Sequence, residues 1–265
     1  MTRRPNPGEW AQLSGAFPGL IWNDVWITDE PTPQYNCIGY SMGVRQWINP
    51  QSPLAAFQQQ YAAQGFAVAP ANTAVIDGWG TGGGAQMTHG SRQSTSMPQT
   101  GLWESKLGQS FRITHGRNQL TGALYGTVLT HFRPRGGEVD EPEEVSVPSY
   151  TDDELGRIAD QAGRVDPGLK AGFDERLAAW KATWSRQELA MSQSTYDFAT
   201  GPEFEAVVGL GDGIVPLVVQ EMTKPDGFFL VPLLEEFTDP VPPETPVESE
   251  QSRGQRAVRA WLASR

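Results

Sequence analysis

Tyr35-Asn36-Cys37-Ile38-Gly39-Tyr40-Ser41-Met42-Gly43 holds the single cysteine of this 265-residue chain, and it reads as the opening of a helix with the thiol in its first turn. Helix N-termini carry partial positive charge and unpaired N–H groups, which stabilise a thiolate and lower its pKa. A cysteine so placed is a candidate nucleophile. The plainer reading is that free cysteine packs as a small buried hydrophobe. A histidine on a later strand shifts the balance towards chemistry.

Outward from this helix, Trp22 to Ile27 reads as an entry strand or packed loop, and Pro50 closes the element by disfavouring helical geometry at Asn49. Ser52-Pro53 then looks like an N-cap with proline at the first helical position, followed by an amphipathic helix through Phe57 and Tyr61 to Gly65. Short, turn-bounded runs come next: Phe66 to Val68, Ala74 to Asp77, Gln86 to Arg92, Leu102 to Gly108 and Leu124 to Phe132. Their length and Gly/Pro boundaries predict antiparallel strands. Gly80-Thr81-Gly82-Gly83-Gly84 lacks the Lys-Ser/Thr of a phosphate loop and leads into a strand, so it reads as a turn.

From residue 134 to 150 an acidic, Pro- and Gly-containing stretch predicts a linker. Beyond it the pattern turns helical. Thr151 and Glu154 form a capping-box pair, and Phe173, Leu177, Trp180 and Trp184 fall on one stripe that reads as helix core. Further helices are expected over Pro202 to Leu210, Ile214 to Met222 and Phe228 to Phe237. Asp239 to Glu250 is acidic, proline-rich and expected to be mobile, before a short terminal helix over Arg256 to Leu262. The predicted layout is α+β: a domain over 1–133 with the cysteine helix on an antiparallel sheet, the linker over 134–150, an all-α domain over 151–237, and a tail over 238–265.

The 31 acidic residues outnumber the 20 basic ones, a net charge of -11 that disfavours a broad nucleic-acid-binding face. One cysteine cannot close an internal disulfide. No cleavable signal and no membrane-length apolar run is visible, which leads to the expectation of a cytoplasmic protein. No oligomeric state is legible.

The chemistry gathers on few residues. An imidazole that takes the thiol proton and returns it to a leaving group, with a third polar side chain fixing the ring, makes acyl transfer workable. His89 follows Cys37 on a strand, and Glu104-Ser105-Lys106 follows on the next. Alternate residues of a strand share a face. If Trp103 and Leu107 line the face packed by the cysteine helix, Ser105 orients the imidazole; in the opposite register Glu104 does. Lys106 and Arg92 are candidates for a substrate carboxylate. His115 reads as bonding a loop, His131 as a structural residue, and no metal or cofactor is called for.

The series Asn36-Cys37, Thr88-His89-Gly90-Ser91-Arg92-Gln93, Trp103-Glu104-Ser105-Lys106-Leu107-Gly108, His115 and Tyr125-Gly126 resembles a bacterial domain family of unassigned function. It is similar to small papain-like cysteine hydrolases of the NlpC and CHAP kind and to papain-like domains of some polymorphic toxins. The resemblance spans about residues 20 to 133. It implies Cys37 as nucleophile, His89 as base, and Asn36 with the Cys37 N–H as oxyanion hole.

The leading expectation is therefore a papain-like hydrolase or acyl transferase acting on an amide, peptide or isopeptide bond, with a peptide or amide substrate, proteins included. Its rival is a non-catalytic interaction or regulatory module on a degenerate papain-like scaffold. A metal-dependent hydrolase is a third possibility.

Overall fold

Asn36 starts the cysteine helix with extended backbone, its side chain accepting from the Gly39 N–H, and α2 (Cys37–Met42) ends at Gly43, whose φ of 86° is a left-handed turn suited to glycine. The computed structural model describes residues 2–97, 100–136, 143 and 149–265. The chain divides into two compact units. One comprises Met1–Val145, Ala190–Gln193 and Thr245–Val247; the other comprises Ser146–Leu189, Ser194–Glu244 and Glu248–Arg265.

The first unit is built on a seven-stranded sheet: β1 (Ile27–Asp29), β2 (Phe66–Val68), β3 (Ile76–Thr81), β4 (Gln86–Gln93), β5 (Trp103–Lys106), β6 (Arg112–His115) and β7 (Thr127–Pro134). The order across it is β1-β6-β5-β4-β3-β7-β2, and each named pairing is antiparallel. Helix α1 (Pro7–Ala16) was not anticipated. It carries a complete capping box between Asn6 and Glu9, with Pro7 at its first position. Its Leu13 joins Phe17, Trp79, Ile113 and Tyr125 in one core cluster. The other cluster holds Cys37 and Ile38 of α2, Phe57 and Tyr61 of α3 (Leu54–Ala63), and Ile76 and Phe132 of the sheet. The sheet is thus covered on both faces.

Several sequence boundaries are corrected. Pro53, not Ser52, caps α3, and the Ser52 hydroxyl accepts from the Met87 N–H instead. Most of the expected linker, residues 137–142 and 144–148, lies outside the described residues, but Glu143 exchanges backbone hydrogen bonds with Gly43 and Arg45 in the first unit. Nor is 238–265 a loose tail. Gln60 Nε2 donates to Pro246 O, Arg253 Nε donates to Val241 O, and α10 spans Glu250–Ala263 from its Ser249 cap.

The second unit is helical: α4 (Asp152–Gly163), α5 (Pro167–Thr183), α7 (Pro202–Val208), α8 (Val215–Met222), α9 (Val231–Glu235) and α10, with α6 (Gln187–Ala190) leading out of it. Trp180 and Trp184 meet edge to face at 5.3 Å and pack with Phe198, Phe204 and Phe229, an aromatic core. Buried Arg253 is paired with Glu250 at 2.9 Å and also with Glu235.

Helix α2 sits so close to the loop after it that a Cβ on Gly39 would stand 2.0 Å from the Gln46 carbonyl oxygen. Backbone cannot yield as a flexible side chain does. Gly39→Ala is expected to destabilise the chain by about 1–3 kcal/mol, as overpacking does, read as a lower urea midpoint with an unchanged slope.

Candidate active site

The sequence order N-cap, cysteine, short helix puts Cys37 at the first position of α2. Its sulfur is buried and accepts from the Gly90 N–H at 3.3 Å. Gly90 lies where β4 and β5 have ceased to pair: their register ends at Arg92 with Glu104. A Cβ on Gly90 would meet Tyr61 Oη at 2.5 Å and Ser41 Oγ at 2.6 Å, so only glycine lets α2 and α3 approach the strand here. Burial pushes the Cys37 thiol above its ordinary pKa, with the Gly90 N–H and Lys106 opposing that shift. The thiol is a neutral S–H at pH 7.

His89 precedes Gly90 and therefore points to the other face of the sheet. It pairs across the ladder with Trp79 and stacks on Tyr125 at 4.0 Å and 7°. The expectation of a thiol and imidazole facing each other across an open groove is corrected: no hydrogen bond joins them, and both are fully buried. The cysteine helix packs on the Gly90 side of the sheet, and the alternation of β4 turns His89 away from it.

What His89 does meet is Ser105. Its Nε2 lies 2.9 Å from Ser105 Oγ, which lies 2.8 Å from His115 Nε2, while His115 Nδ1 lies 2.8 Å from the Gly116 carbonyl. Hydrogen-bond roles assign the protons. A carbonyl only accepts, so His115 carries its proton on Nδ1, and burial lowers its pKa to about 4. Neutral His115 then accepts at Nε2 from the one Ser105 hydroxyl hydrogen, and Ser105 accepts from His89 Nε2–H. His89 is left with a bare Nδ1 lone pair that has no partner. Its pKa is held well below the ordinary value, by burial first and His115 second.

The other expected site residues have other work. Asn36 is saturated: Oδ1 accepts from Gly39 N and Ile48 N, and Nδ2 donates to Ile48 O and Gln193 O. Its side chain is a cap, not an oxyanion donor. Glu104 does not reach the imidazole; it pairs with Arg112 at 2.9 Å and accepts from Ser94 and Ser96. Lys106 is buried with Nζ donating to Thr32 O, Gly108 O and Ser110 O, and burial lowers its pKa to about 7. Arg92 is buried over the Tyr40 ring at 5.3 Å. Neither cation is open to a substrate carboxylate.

Gln193 escaped the sequence reading, and His115, expected to bond a loop, does so through the Gly116 carbonyl but also meets Ser105, which was not foreseen. His115 lies on β6, a strand too short to show alternation. Gln193, from the return segment Ala190–Gln193, places its carboxamide oxygen 3.0 Å from the Cys37 N–H and donates through Nε2 to Tyr125 Oη and Met191 O. Among the described residues no three His, Cys, Asp or Glu side chains converge as metal ligands, and no helix is long and apolar enough to cross a membrane.

Residues 26–133 match the model of a family described as a domain of unknown function (DUF7689), a span that contains Cys37, His89, Ser105, His115 and Tyr125 but not Gln193. No curated protein and no solved structure matches the chain.

The histidine pair generates a pH dependence. Both folded-state values lie below the unfolded value near 6.5, so the unfolded chain binds more protons below that pH and stability falls as pH drops from about 6.5 towards 4. Urea midpoints measured across this window check it. Ser105→Ala, which strands two buried imidazole nitrogens, is expected to cost about 2 kcal/mol at pH 7.

Proposed function

We propose that the first unit carries a papain-like cysteine centre for amide or acyl chemistry, held closed in the resting chain. The observation that carries this reading is the oriented run His115, Ser105, His89, which fixes a proton on His89 Nε2 and leaves Nδ1 as an unpaired base. A buried acceptor without a partner costs about 1–3 kcal/mol, set here against the stack of His89 on Tyr125. Further support lies in the sulfur of Cys37, bonded to the N–H of the next residue, Gly90, and in its place at a helix N-terminus.

The mechanism requires a rearrangement that brings His89, which at rest lies on the far face of β4 from α2, to the thiol; there its Nδ1 takes the thiol proton as Cys37 Sγ attacks an amide carbon. The Cys37 N–H receives the developing oxyanion. His89 Nδ1–H then protonates the departing amine, leaving a thioester on Cys37, and water or an amine resolves it. Ser105 and His115 are positioning residues, because they act on the imidazole. The thiol and imidazole are both neutral at rest, so the proton moves only once a substrate carbonyl is present to take the charge.

A second reading, an interaction module on a degenerate papain-like scaffold, is favoured by the sealed sulfur and its raised pKa. The two separate cleanly. Under the catalytic reading, a peptide electrophile that mimics an acyl group modifies Cys37 faster than iodoacetamide does, and His89→Gln removes the difference. Equal, slow modification by both reagents in the wild-type and His89→Gln chains, followed by mass spectrometry, selects the interaction module. Cys37→Ala abolishes any amide turnover by the full chain.

A further inference from the structure

The third histidine, His131, belongs to a different cluster, where β3 pairs with β7. Its ladder partner Asp77 is fully buried, and Arg117 grips that carboxylate with two bonds, Nε to Oδ2 at 2.6 Å and Nη2 to Oδ1 at 2.7 Å. The guanidinium lies over the Trp103 ring at 4.5 Å, and its Nη1 donates to Ala71 O at 2.6 Å. One arginine thus already matches the one buried acid. His131 Nδ1 stands 2.6 Å from Asp77 Oδ1 and 3.2 Å from Arg117 Nη2. The carboxylate only accepts, so the shorter contact puts the ring proton on Nδ1, donated to Asp77 beside the arginine. With the acid matched, no second positive charge is called for on the ring, and Nε2 is left as a lone pair. It has no partner among the described residues, yet it is not sealed in, because the His131 side chain is 29% exposed.

Two cations share the surroundings of this lone pair. Arg117 commits three of its five N–H groups, which leaves one on Nη1 and one on Nη2. Arg133 follows His131 by two positions on β7 and so lies on the same face of the sheet; it is exposed and makes no ion pair among the described residues. So small a positive patch on a chain of net charge -11 suits a small anion better than a polyanion. An acceptor set among cationic donors has a narrow complement: an anion that still bears a hydrogen. We propose that His131, Arg117 and Arg133, held in place by Asp77, form a binding site for inorganic hydrogenphosphate. Its O–H donates to His131 Nε2, and its other oxygens accept from the two arginines. Sulfate and the dianion of a phosphate monoester have no hydrogen to give and would set an oxygen lone pair against Nε2.

The test is a titration of the full, 15N-labelled chain at pH 7.5 and constant ionic strength, which holds screening fixed. The Nε2 resonance of His131 is identified by its loss in His131→Gln. Before phosphate is added it should be that of an unprotonated nitrogen, and millimolar phosphate should move it to saturation. Sulfate and glycerophosphate should each need at least tenfold higher concentration for the same displacement. Arg133→Gln, a change at an exposed position whose unaltered amide spectrum verifies the fold, should raise the phosphate midpoint at least threefold. A resonance already protonated without phosphate, sulfate or glycerophosphate acting as well as phosphate, or a midpoint unmoved by Arg133→Gln overturns the assignment.

Discussion

Four hydrogen bonds from one amide side chain fix everything near the sulfur. Asn36 caps α2 through Gly39, ties the N-terminus of that helix to Ile48 on the segment that follows it, and holds the backbone of Gln193. With both amide hydrogens and the oxygen used, the side chain has no alternative arrangement inside the protein. It sets the direction of α2, hence the place of Cys37. It also sets the height at which the carboxamide of Gln193 meets the Cys37 N–H. An aspartate here would lose two donors and leave two carbonyls unpaired in a dry site.

Much of the sheet was legible because a strand advertises itself locally. The runs around Ile76, His89 and Phe132 are short, turn-bounded and rich in β-formers, and all three lie on antiparallel strands. The face each residue takes is not local. His89 and Gly90 alternate by rule, but which of them meets α2 depends on where the cysteine helix docks, and that depends on a glycine small enough to admit Tyr61 and Ser41. The contact between Ser105 and His89 arises for a reason other than the one weighed from sequence: both turn away from α2 together. Gln193 gave no signal, because it lies 156 residues from Cys37 and no period connects them.

The buried polar residues under α2 divide by how completely they are satisfied. Glu104 collects Arg112, Thr28, Ser94 and Ser96, and Lys106 collects three carbonyl oxygens. Such closure is what burial of charge demands, and it reads as architecture. These groups stitch β5 and β6 to Thr28 of β1 and to the segments that carry Thr32 and Ser94. From sequence Lys106 reads as a substrate contact and Glu104 as an alternative orienting residue, since a strand position alone does not reveal burial.

His89 is organised differently. Its partner His115 uses both ring nitrogens, and Ser105 uses its single hydrogen and a lone pair, so each link is satisfied until the run reaches His89 Nδ1. Reversing the run would satisfy that nitrogen no better and would set His115 Nδ1 as an acceptor against the Gly116 carbonyl, two oxygen- and nitrogen-borne lone pairs in contact. The polarity is therefore fixed from the far end, by a backbone carbonyl that cannot donate. The run thus fixes one tautomer of His89, with Nε2 bonded to Ser105, the ring stacked on Tyr125 and the Nδ1 lone pair left without a protein partner, the state that the proposed general base would need.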